Sequence, residues 1–372
     1  MQRQSSLYIG IMSGTSLDGV DIALVNITPD KMTLLNSECY LMPDELKNRL
    51  LAICQNKQVE LQTLGEVDHQ LGLLYADCVN DFLTKNNINH KQIVAIGCHG
   101  QTIYHSPIGK NPFTMQIGDA NIIATKTNIT TIADFRRKDM ALGGQGAPLV
   151  PAFHQATFKD DRKNRVILNI GGISNITVIA PNRPIIGYDT GPGNVLLDSW
   201  INLHLNKPYD KDANWAKKGN VNSQLLAHML TENYFKLSFP KSTGRELFNL
   251  AWLKQYITGY SISPEDVQAT LIELTAQATV NELNKLDFDP LPCELLVCGG
   301  GAKNPLIITS FQRLLPHWAV NTTDSQGISS EFMEAMAFAW LAYCRIHNLP
   351  SNIPSVTGAT KAVPLGVIYP AV

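Results

Sequence analysis

The sequence has no excess of either charge. Thirty lysines and arginines stand against 32 aspartates and glutamates in 372 residues, a formal net charge of −2. Proteins that bind nucleic acid or an anionic membrane surface usually present a cluster of basic residues. We therefore expect neither nucleic acid nor a membrane as a partner.

Long apolar runs are also missing. The longest helical apolar segment, residues 335–344, falls well short of the roughly 20 residues that cross a bilayer. The short apolar stretch near the N-terminus soon meets Asp18 and Asp21, which makes it too short and too polar for a secretory signal. These features predict a cytoplasmic protein.

Cysteine is sparse, and none of the seven cysteines forms a CxxC pair. An odd, dispersed set is typical of reduced thiols and not of a disulfide framework. Cys98 and His99 could form half of a metal site, but no second ligand pair has the usual spacing, which favours a buried cysteine beside a loop histidine. The length of the chain predicts two domains.

The sequence lacks the GxxxxGK[ST], GxGxxG, HExxH and GxSxG motifs, which weighs against P-loop, dinucleotide, metalloprotease and serine-hydrolase chemistry. It does contain three glycine-bearing turns, each after an apolar strand: residues 14–21, 171–175 and 299–304. Glycine lets backbone N–H groups approach anionic oxygens, so each turn is a candidate phosphate or nucleotide site.

The first turn joins two predicted strands, residues 8–12 and 20–25, as a hairpin. Thr15 and Ser16 add hydroxyl donors, while Asp18 and Asp21 could hold hydrated Mg²⁺. An ordinary polar hairpin turn explains the same residues equally well.

The second and third turns extend the pattern. Strands predicted at 166–170 and 176–179 flank the second turn and echo the opening hairpin, which indicates a duplicated architecture. The third turn connects a strand at 294–298 to a helix at 306–315, where a nucleotide could lie against bare backbone. A tight strand-to-helix turn is the alternative.

Two further loops attract attention. Residues 134–148 are rich in charge and turn formers, which is typical of a crossing between domains at a cleft or of an exposed loop. In residues 187–194, Asp189 stands among small residues. By itself it could be a turn-capping aspartate.

In order, the three turns resemble the first phosphate, second phosphate and adenosine motifs of the superfamily that contains actin, hexokinase and the chaperone ATPases. More narrowly, ten ordered segments from about residue 8 to the C-terminus resemble the anhydro-N-acetylmuramic acid kinase family: residues 12–21, 97–102, 116–119, 133–137, 143–150, 169–172, 188–194, 241–245, 297–301 and 354–358.

The resemblance implies an α/β, two-lobed, actin/hexokinase-like (ribonuclease H-like) fold, with duplicated mixed-sheet domains and a central cleft. We expect an N-terminal lobe over residues 1–134, with residues 350–372 packing back on it, and a C-terminal lobe over 135–349.

The resemblance also implies a reaction. The family hydrolyses the 1,6-anhydro bridge of anhydro-N-acetylmuramic acid and phosphorylates O6 with ATP, giving N-acetylmuramate 6-phosphate and ADP in peptidoglycan recycling. An anhydro sugar has no free O6 hydroxyl, so a carboxylate must activate water to attack C1. The family motif and the local context both favour Asp189 as that base.

The remaining site residues follow from the resemblance, with ATP and Mg²⁺ as cofactors. Asp18 and Asp21 are expected to bind Mg²⁺ through water. The expected ATP site comprises Gly14, Thr15, Ser16, Leu17, Asp18, Gly19, Val20, Asp21, Gly171, Gly172, Asn175, Gly299, Gly300, Gly301 and Asn304. The expected sugar site comprises His99, Gln101, Thr102, Arg136, Thr190, Asn194 and Glu334. By spacing alone, Arg137 is as good a candidate as Arg136, and Glu334 could instead be a carboxylate on the face of a helix.

Two other functions fit the same fold: a kinase for another sugar or hydroxy acid, and a nucleotide-driven conformational module whose output is partner binding. The polar loops at 98–102 and 187–194 suit a small substrate, and no filament-forming or peptide-binding extension is evident, which favours an enzyme. A homodimer is expected from the family and from the prevalence of twofold assemblies.

Overall fold

Apolar strands and amphipathic helices follow one another along the chain, as the hydrophobic periodicity predicts. The computed structural model describes residues 6–14, 17, 19–29, 31–55 and 58–372. These residues form two compact units, one made of the described residues up to Thr157 together with Phe332–Val372, the other of Phe158–Glu331.

The strands are β1 Ser6–Met12, β2 Gly19–Ile27, β3 Met32–Leu41, β4 Ile93–Cys98, β5 Gln101–Ser106, β6 Phe113–Ile117, β7 Thr131–Ala133, β8 Asn164–Ile170, β9 Ile173–Ile179, β10 Ile186–Pro192, β11 Cys293–Cys298, β12 Trp318–Thr322 and β13 Val367–Tyr369.

The α-helices are α1 Asp44–Gln55, α2 Leu61–Lys85, α3 Ala120–Thr127, α4 Arg137–Ala141, α5 Val150–Phe158, α6 Asn194–Leu205, α7 Ser223–Met229, α8 Leu250–Ile257, α9 Pro264–Leu283, α10 Pro305–Leu314, α11 Met333–Ile346 and α12 Pro354–Thr357. Short 3₁₀ turns cover His90–Gln92, Lys211–Ala213, Ala216–Lys218, Asn233–Lys236, Gly300–Lys303 and Thr323–Gln326.

The first unit is built on a mixed sheet in the order β3-β2-β1-β4-β7-β13. Strands β1, β2 and β3 are antiparallel neighbours, whereas β4 lies parallel to β1 and β7 parallel to β4. The predicted opening hairpin is therefore confirmed, with Met12 opposite Asp21 at its end. Near the C-terminus, β13 pairs with β7 in this same sheet.

The second unit repeats this order in its own sheet, β10-β9-β8-β11-β12. Its first three strands are again antiparallel neighbours, and β11 and β12 again follow in parallel. Two units that share one strand order confirm the duplicated mixed-sheet architecture of the actin/hexokinase-like fold class.

Helix α11 belongs to the first unit because it packs directly on bare strand backbone. A Cβ atom on Gly10 in β1 would lie 1.7 Å from the Ala335 carbonyl oxygen, and one on Gly97 in β4 would lie 2.0 Å from that of Phe338. Only glycine permits such an approach.

This packing accounts for a difference from the boundaries expected from the sequence. Residues 135–157 and 332–349 lie in the first unit, not in the second. The strand-period and helix-period patterns that predicted the elements carry no information on which sheet a late helix covers.

Each unit has its own apolar core. Strands β1, β2 and β4 and helix α2 supply buried side chains such as Ile9, Leu71 and Phe82 to the first. Strands β8 and β11 and helix α9 supply side chains such as Leu168 and Leu274 to the second.

Helix α9 begins at an N-cap serine. Ser263 accepts a hydrogen bond from the Asp266 N–H at 3.1 Å, as expected for an N-cap serine.

Across the described part of the chain, every helix is too short or too polar to span a bilayer.

The close contact of strand glycines with helix α11 predicts that the effect of a Gly→Ala change on stability depends strongly on its position. Gly97→Ala should destabilise the protein by at least about 1–3 kcal/mol, because the new methyl overlaps helix backbone that cannot move aside. Gly65 lies exposed in α2, and a Cβ atom there would have nothing within 4 Å, so Gly65→Ala should stabilise by about 0.5–1 kcal/mol. Urea unfolding of both variants measures the difference; equal stabilities would refute the packing argument.

Candidate active site

The first glycine turn lies between β1 and β2, and part of it lies outside the described residues, namely Thr15, Ser16 and Asp18. The Leu17 N–H donates to the Gly14 carbonyl at 3.2 Å, and Leu17 adopts a left-handed φ of 56° with its side chain buried. Val20 is also buried. Any contact that Leu17 or Val20 makes with ATP must therefore come from the backbone.

Gly19 has a structural reason to be glycine. A Cβ atom there would lie 2.7 Å from the Tyr40 carbonyl oxygen of the neighbouring strand. The turn residue thus starts β2 in close contact with β3.

Beside this turn, His99 and Arg136 form the centre of a buried polar cluster. An Arg136 Nη atom donates to His99 Nε2 at 2.9 Å, and the other Nη donates to the Gly146 carbonyl at 2.9 Å. The Phe338 ring packs against His99 with the centroids 4.8 Å apart. The arginine therefore holds the imidazole with Nε2 as an acceptor.

Burial, reinforced by the Arg136 charge, lowers the pKa of His99 to about 3, so the ring is neutral at physiological pH. Burial also lowers the pKa of Arg136 to about 10, which leaves it charged. Among the described residues, the Arg136 Nε–H is buried without an acceptor, a donor left over in a cationic site.

The two neighbouring arginines differ clearly. Arg137 is exposed and pairs loosely with Asp134 at 3.7 Å, whereas Arg136 turns inward onto His99. Spacing alone could not separate them, because the turn that starts helix α4 places adjacent side chains in different directions.

Gln101 and Thr102 are engaged within the protein. Gln101 is buried and accepts from the Ser13 hydroxyl at 2.8 Å, which links the first turn to β5. Thr102 accepts from the Gln116 amide at 3.1 Å across the β5–β6 hairpin. A polar cavity opens next to them, lined by groups that include His99, Gln116, Asp119 and Asn121.

Glu334 stands in the first turn of α11 and shares this region with Asp21. Burial raises the pKa of Glu334; the Arg136 charge opposes that shift and the Asp21 carboxylate adds to it. Two carboxylates that repel each other are an arrangement that a divalent cation stabilises. Asp21 and Glu334 thus fit hydrated Mg²⁺, although no group of three or more His, Cys, Asp or Glu in the described residues could hold a metal directly.

In the second unit, the second and third glycine turns converge on Ile170 at the end of β8. Gly171 and Gly172 accept hydrogen bonds at 2.8–3.1 Å from the amides of residues 193–195, where helix α6 begins. A Cβ atom on Gly301 would lie 2.3 Å from the Ile170 side chain, and one on Gly299, at a φ of 78°, would lie 2.4 Å from Asn169 Oδ1. Bare backbone is thus a packing requirement at Gly299 and Gly301.

Several residues expected at the ligand sites are used to build these turns. Asn304 caps helix α10 by accepting from the Leu306 and Ile307 amides at 3.1 and 3.3 Å. Asn194 donates to the Ile170 carbonyl at 3.2 Å and adjoins Gly300. Asn175 is half-buried in β9, opposite Asp189 in β10.

Thr190, which the resemblance places at the sugar site, is engaged within the fold. It is fully buried, and its hydroxyl bonds to the Ser174 carbonyl at 3.3 Å and to the Thr279 hydroxyl at 3.0 Å. Strand alternation turns it away from the face that Asp189 occupies, and its hydroxyl ties β10 to β9 and α9.

Asp189 sits half-buried in β10, and its carboxylate accepts from the Thr243 N–H at 3.0 Å. Burial raises its pKa to about 6; the Thr243 bond opposes the rise and the Glu246 charge adds to it. A carboxylate whose pKa is near 6 is mainly ionised at neutral pH and still basic enough to take a proton.

The loop that contacts Asp189 is not among the predicted site residues, although residues 241–245 are one of the family-like segments. The Asp189 N–H donates to the Lys241 carbonyl at 3.2 Å, and buried Lys241 pairs with buried Glu282 at 2.8 Å. At the far end of the loop, an Arg245 Nη atom lies 4.0 Å from a Cβ position on Gly172. An exposed cation beside a glycine turn could contact a phosphate.

The repeated strand order defines the class of this protein: an α/β protein of the actin/hexokinase-like fold class. A sequence profile of the family "Anhydro-N-acetylmuramic acid kinase" matches residues 6–371. The chain therefore belongs to the anhydro-N-acetylmuramic acid kinase family.

Curated relatives agree with this assignment. The anhydro-N-acetylmuramic acid kinase of Pasteurella multocida (strain Pm70) is 57% identical over 371 residues, covering 100% of this chain and 98% of that protein. The Vibrio cholerae kinase of the same name is 56% identical over 366 residues, covering 98% of this chain and 99% of that protein.

Among solved structures, the activator of the 2-hydroxyisocaproyl-CoA dehydratase from Clostridium difficile aligns with a TM-score of 0.44 and 10% identity, covering 91% of this chain and 94% of that one.

The raised pKa of Asp189 predicts a pH-dependent stability difference. A carboxylate whose pKa rises from 3.8 to about 6 on folding contributes stability below about pH 4, and this contribution is lost as the pH rises through about 6. Asp189→Asn cannot ionise, so at pH 8 it should be more stable than wild type by on the order of 1–3 kcal/mol. Urea unfolding should show this advantage shrinking toward pH 5; an Asn variant less stable at pH 8 would contradict the assigned shift.

Proposed function

We propose that this protein hydrolyses the 1,6-anhydro bond of anhydro-N-acetylmuramic acid and phosphorylates O6 with ATP, giving N-acetylmuramate 6-phosphate and ADP. The observation that carries the proposal is the match to the kinase family over residues 6–371. The chemistry of Asp189 is consistent with it, and the product would enter the recycling of peptidoglycan fragments.

In this mechanism Asp189 takes a proton from a water molecule whose oxygen attacks C1 of the sugar. The C1–O6 bond breaks as the new C1–O bond forms, and O6 becomes the nucleophile. O6 then attacks the γ-phosphorus, and the bond to the ADP oxygen breaks. A well-placed base contributes about 10²–10⁴-fold to such a step.

The phosphate ligands in this proposal are backbone groups. Glycine turns in both units supply N–H donors, and positioning with charge neutralisation provides most of phosphoryl-transfer catalysis. We assign the β- and γ-phosphates to residues 14–19, further phosphate contacts to Gly171, Gly172 and Arg245, and the adenosine side to Gly299–Gly301. Mg²⁺, when bound through water by Asp18, Asp21 and Glu334, would neutralise phosphate charge.

The sugar ligands in this proposal centre on Arg136. Its charge suits the lactyl carboxylate of the substrate, as does its buried Nε–H, for which the described part of the chain offers no acceptor. His99 keeps the guanidinium in place as a neutral acceptor and lines the adjoining polar cavity.

Location and assembly follow from the reaction and the family. The proposed reaction consumes ATP, so we propose that the protein works in the cytoplasm. We also propose a homodimer, since twofold assemblies are the commonest among soluble enzymes.

The reaction can be tested directly with purified protein, Mg-ATP and anhydro-N-acetylmuramic acid in ¹⁸O-labelled water. ADP release should depend on the sugar, and promptly quenched product should carry the label on C1 and none on phosphate. The reason is that water attacks carbon while the bridge oxygen attacks phosphorus. Label on phosphate would refute the mechanism, and an absence of sugar-dependent ADP would refute the function.

In the same assay, the Asp189→Asn variant tests the proposed role of Asp189 as the base. Turnover should collapse by about 10²–10⁴-fold. ATP affinity measured by calorimetry should stay close to that of wild type, because the carboxylate acts on water. A large loss of ATP binding would reassign Asp189 to the nucleotide site.

Paired lysine variants separate the two arginines. Arg136→Lys should raise the KM for the sugar by about ten- to a hundredfold, because lysine keeps the charge but loses the forked donors. Arg137→Lys should change it far less, because an exposed lysine can still pair with Asp134. Steady-state kinetics with varied sugar measure both; a larger effect at Arg137 would reverse the assignment.

A further inference from the structure

We propose that Asp139 is a positioning residue for Arg136: it fixes the Gly146 peptide, and this peptide fixes the guanidinium against His99. The inference deepens the proposed function and rests on it for the identity of the sugar. The contacts themselves lie entirely within the first unit.

Asp139 lies in helix α4 and is completely buried. One carboxylate oxygen, Oδ2, accepts from the Gly146 N–H at 2.8 Å. The other, Oδ1, accepts from the Asn352 amide at 2.7 Å and from the Thr357 hydroxyl at 2.8 Å. Three donors on one carboxylate make the burial of its charge tolerable.

Gly146 transmits this anchoring. Its N–H is held by Asp139, while its carbonyl accepts from Arg136 Nη at 2.9 Å. Only the two planar peptide groups that flank Gly146 therefore lie between the Asp139 carboxylate and the Arg136 guanidinium. Gly146 has a φ of 69°, and a Cβ atom there would lie 2.8 Å from the Met140 side chain, so the bridging residue is itself constrained to be glycine.

The C-terminal segment is the outer part of the same network. Beyond the two side-chain bonds to Asp139, the Gln145 N–H donates to the Thr357 carbonyl at 2.8 Å, and the Thr360 N–H donates to the Leu142 carbonyl at 2.9 Å. Three of the family-like segments, 133–137, 143–150 and 354–358, thus meet around one carboxylate. Their shared role is to hold the arginine.

A purely structural role for Asp139 would affect stability alone, so the test needs a readout at Arg136. His99 provides one, because Arg136 donates to its Nε2 and its charge helps to keep the pKa of the ring near 3. If Arg136 moves away, His99 loses that charge and that donor. Its titration, followed by NMR and assigned with a His99→Gln variant, should then shift to higher pH.

The main variant is Asp139→Asn, which keeps the shape but places an NH₂ group against one of the three donors. In the folded variant we expect His99 to titrate at higher pH. We also expect the sugar KM to rise by about ten- to a hundredfold, with the ATP KM nearly unchanged, as for the loss of one hydrogen bond to a charged group. A folded variant with unchanged His99 titration and unchanged sugar KM would overturn the proposal.

A milder variant and a matched control complete the design. Thr357→Val removes one donor to Asp139 and leaves the Gly146 bond in place. It should therefore raise the His99 pKa and the sugar KM by smaller amounts, and it decides the question if Asp139→Asn does not fold.

The matched control, Asp210→Asn, alters a carboxylate in the other unit that also accepts two backbone N–H groups, from Trp215 and Ala216, each at 2.9 Å. It should lower stability without moving His99; a His99 shift in this control would overturn the specific link. The NMR readout needs no turnover, so it remains valid if the proposed substrate is wrong.

Discussion

The close approach of helix α11 to bare strand backbone is the constraint on which the first unit depends. Carbonyl groups of Ala335 and Phe338 occupy the space where side chains of Gly10 and Gly97 would otherwise stand. The same helix carries Glu334 in its first turn, and its Phe338 ring contacts both His99 and Phe135. One packing contact therefore sets the positions of a carboxylate and an imidazole.

The second unit uses the same strand order for a different chemical task. In its third glycine turn, Gly299 and Gly301 pack tightly against Asn169 and Ile170, so neighbouring atoms fill the space where their side chains would stand. The pKa of Asp189, the proposed base, is set mainly by desolvation. Burial raises the pKa of Asp189 to about 6, and only one backbone N–H, that of Thr243, is supplied by the described residues to stabilise its charged form. A carboxylate with more donors would be a weaker base.

Sequence patterns predicted the elements well because they report on local physics. The two hairpins and the strand before the triglycine turn depend on residues close together in the chain, and all are present. The membership of helix α11 in the first unit could not be predicted, since it depends on two glycines more than 200 residues away in sequence. Asn304 and Gln101 had the right chemistry for ligands, but their hydrogen bonds are used within the fold. Only the folded chain shows where a polar side chain points.

The choice between Arg136 and Arg137 shows what decides a binding residue. Both carry the same charge, yet Arg137 is solvated and its field is screened, whereas Arg136 is buried against a neutral ring and a carbonyl oxygen. Desolvation makes the charge of Arg136 costly to keep and therefore strongly attractive to an anion that can replace the lost water. A charged His99 in the same place would repel the arginine, so its low pKa is a requirement of the site. The burial that keeps His99 neutral is thus the same burial that lowers the pKa of Arg136 and would strengthen its attraction for the proposed carboxylate.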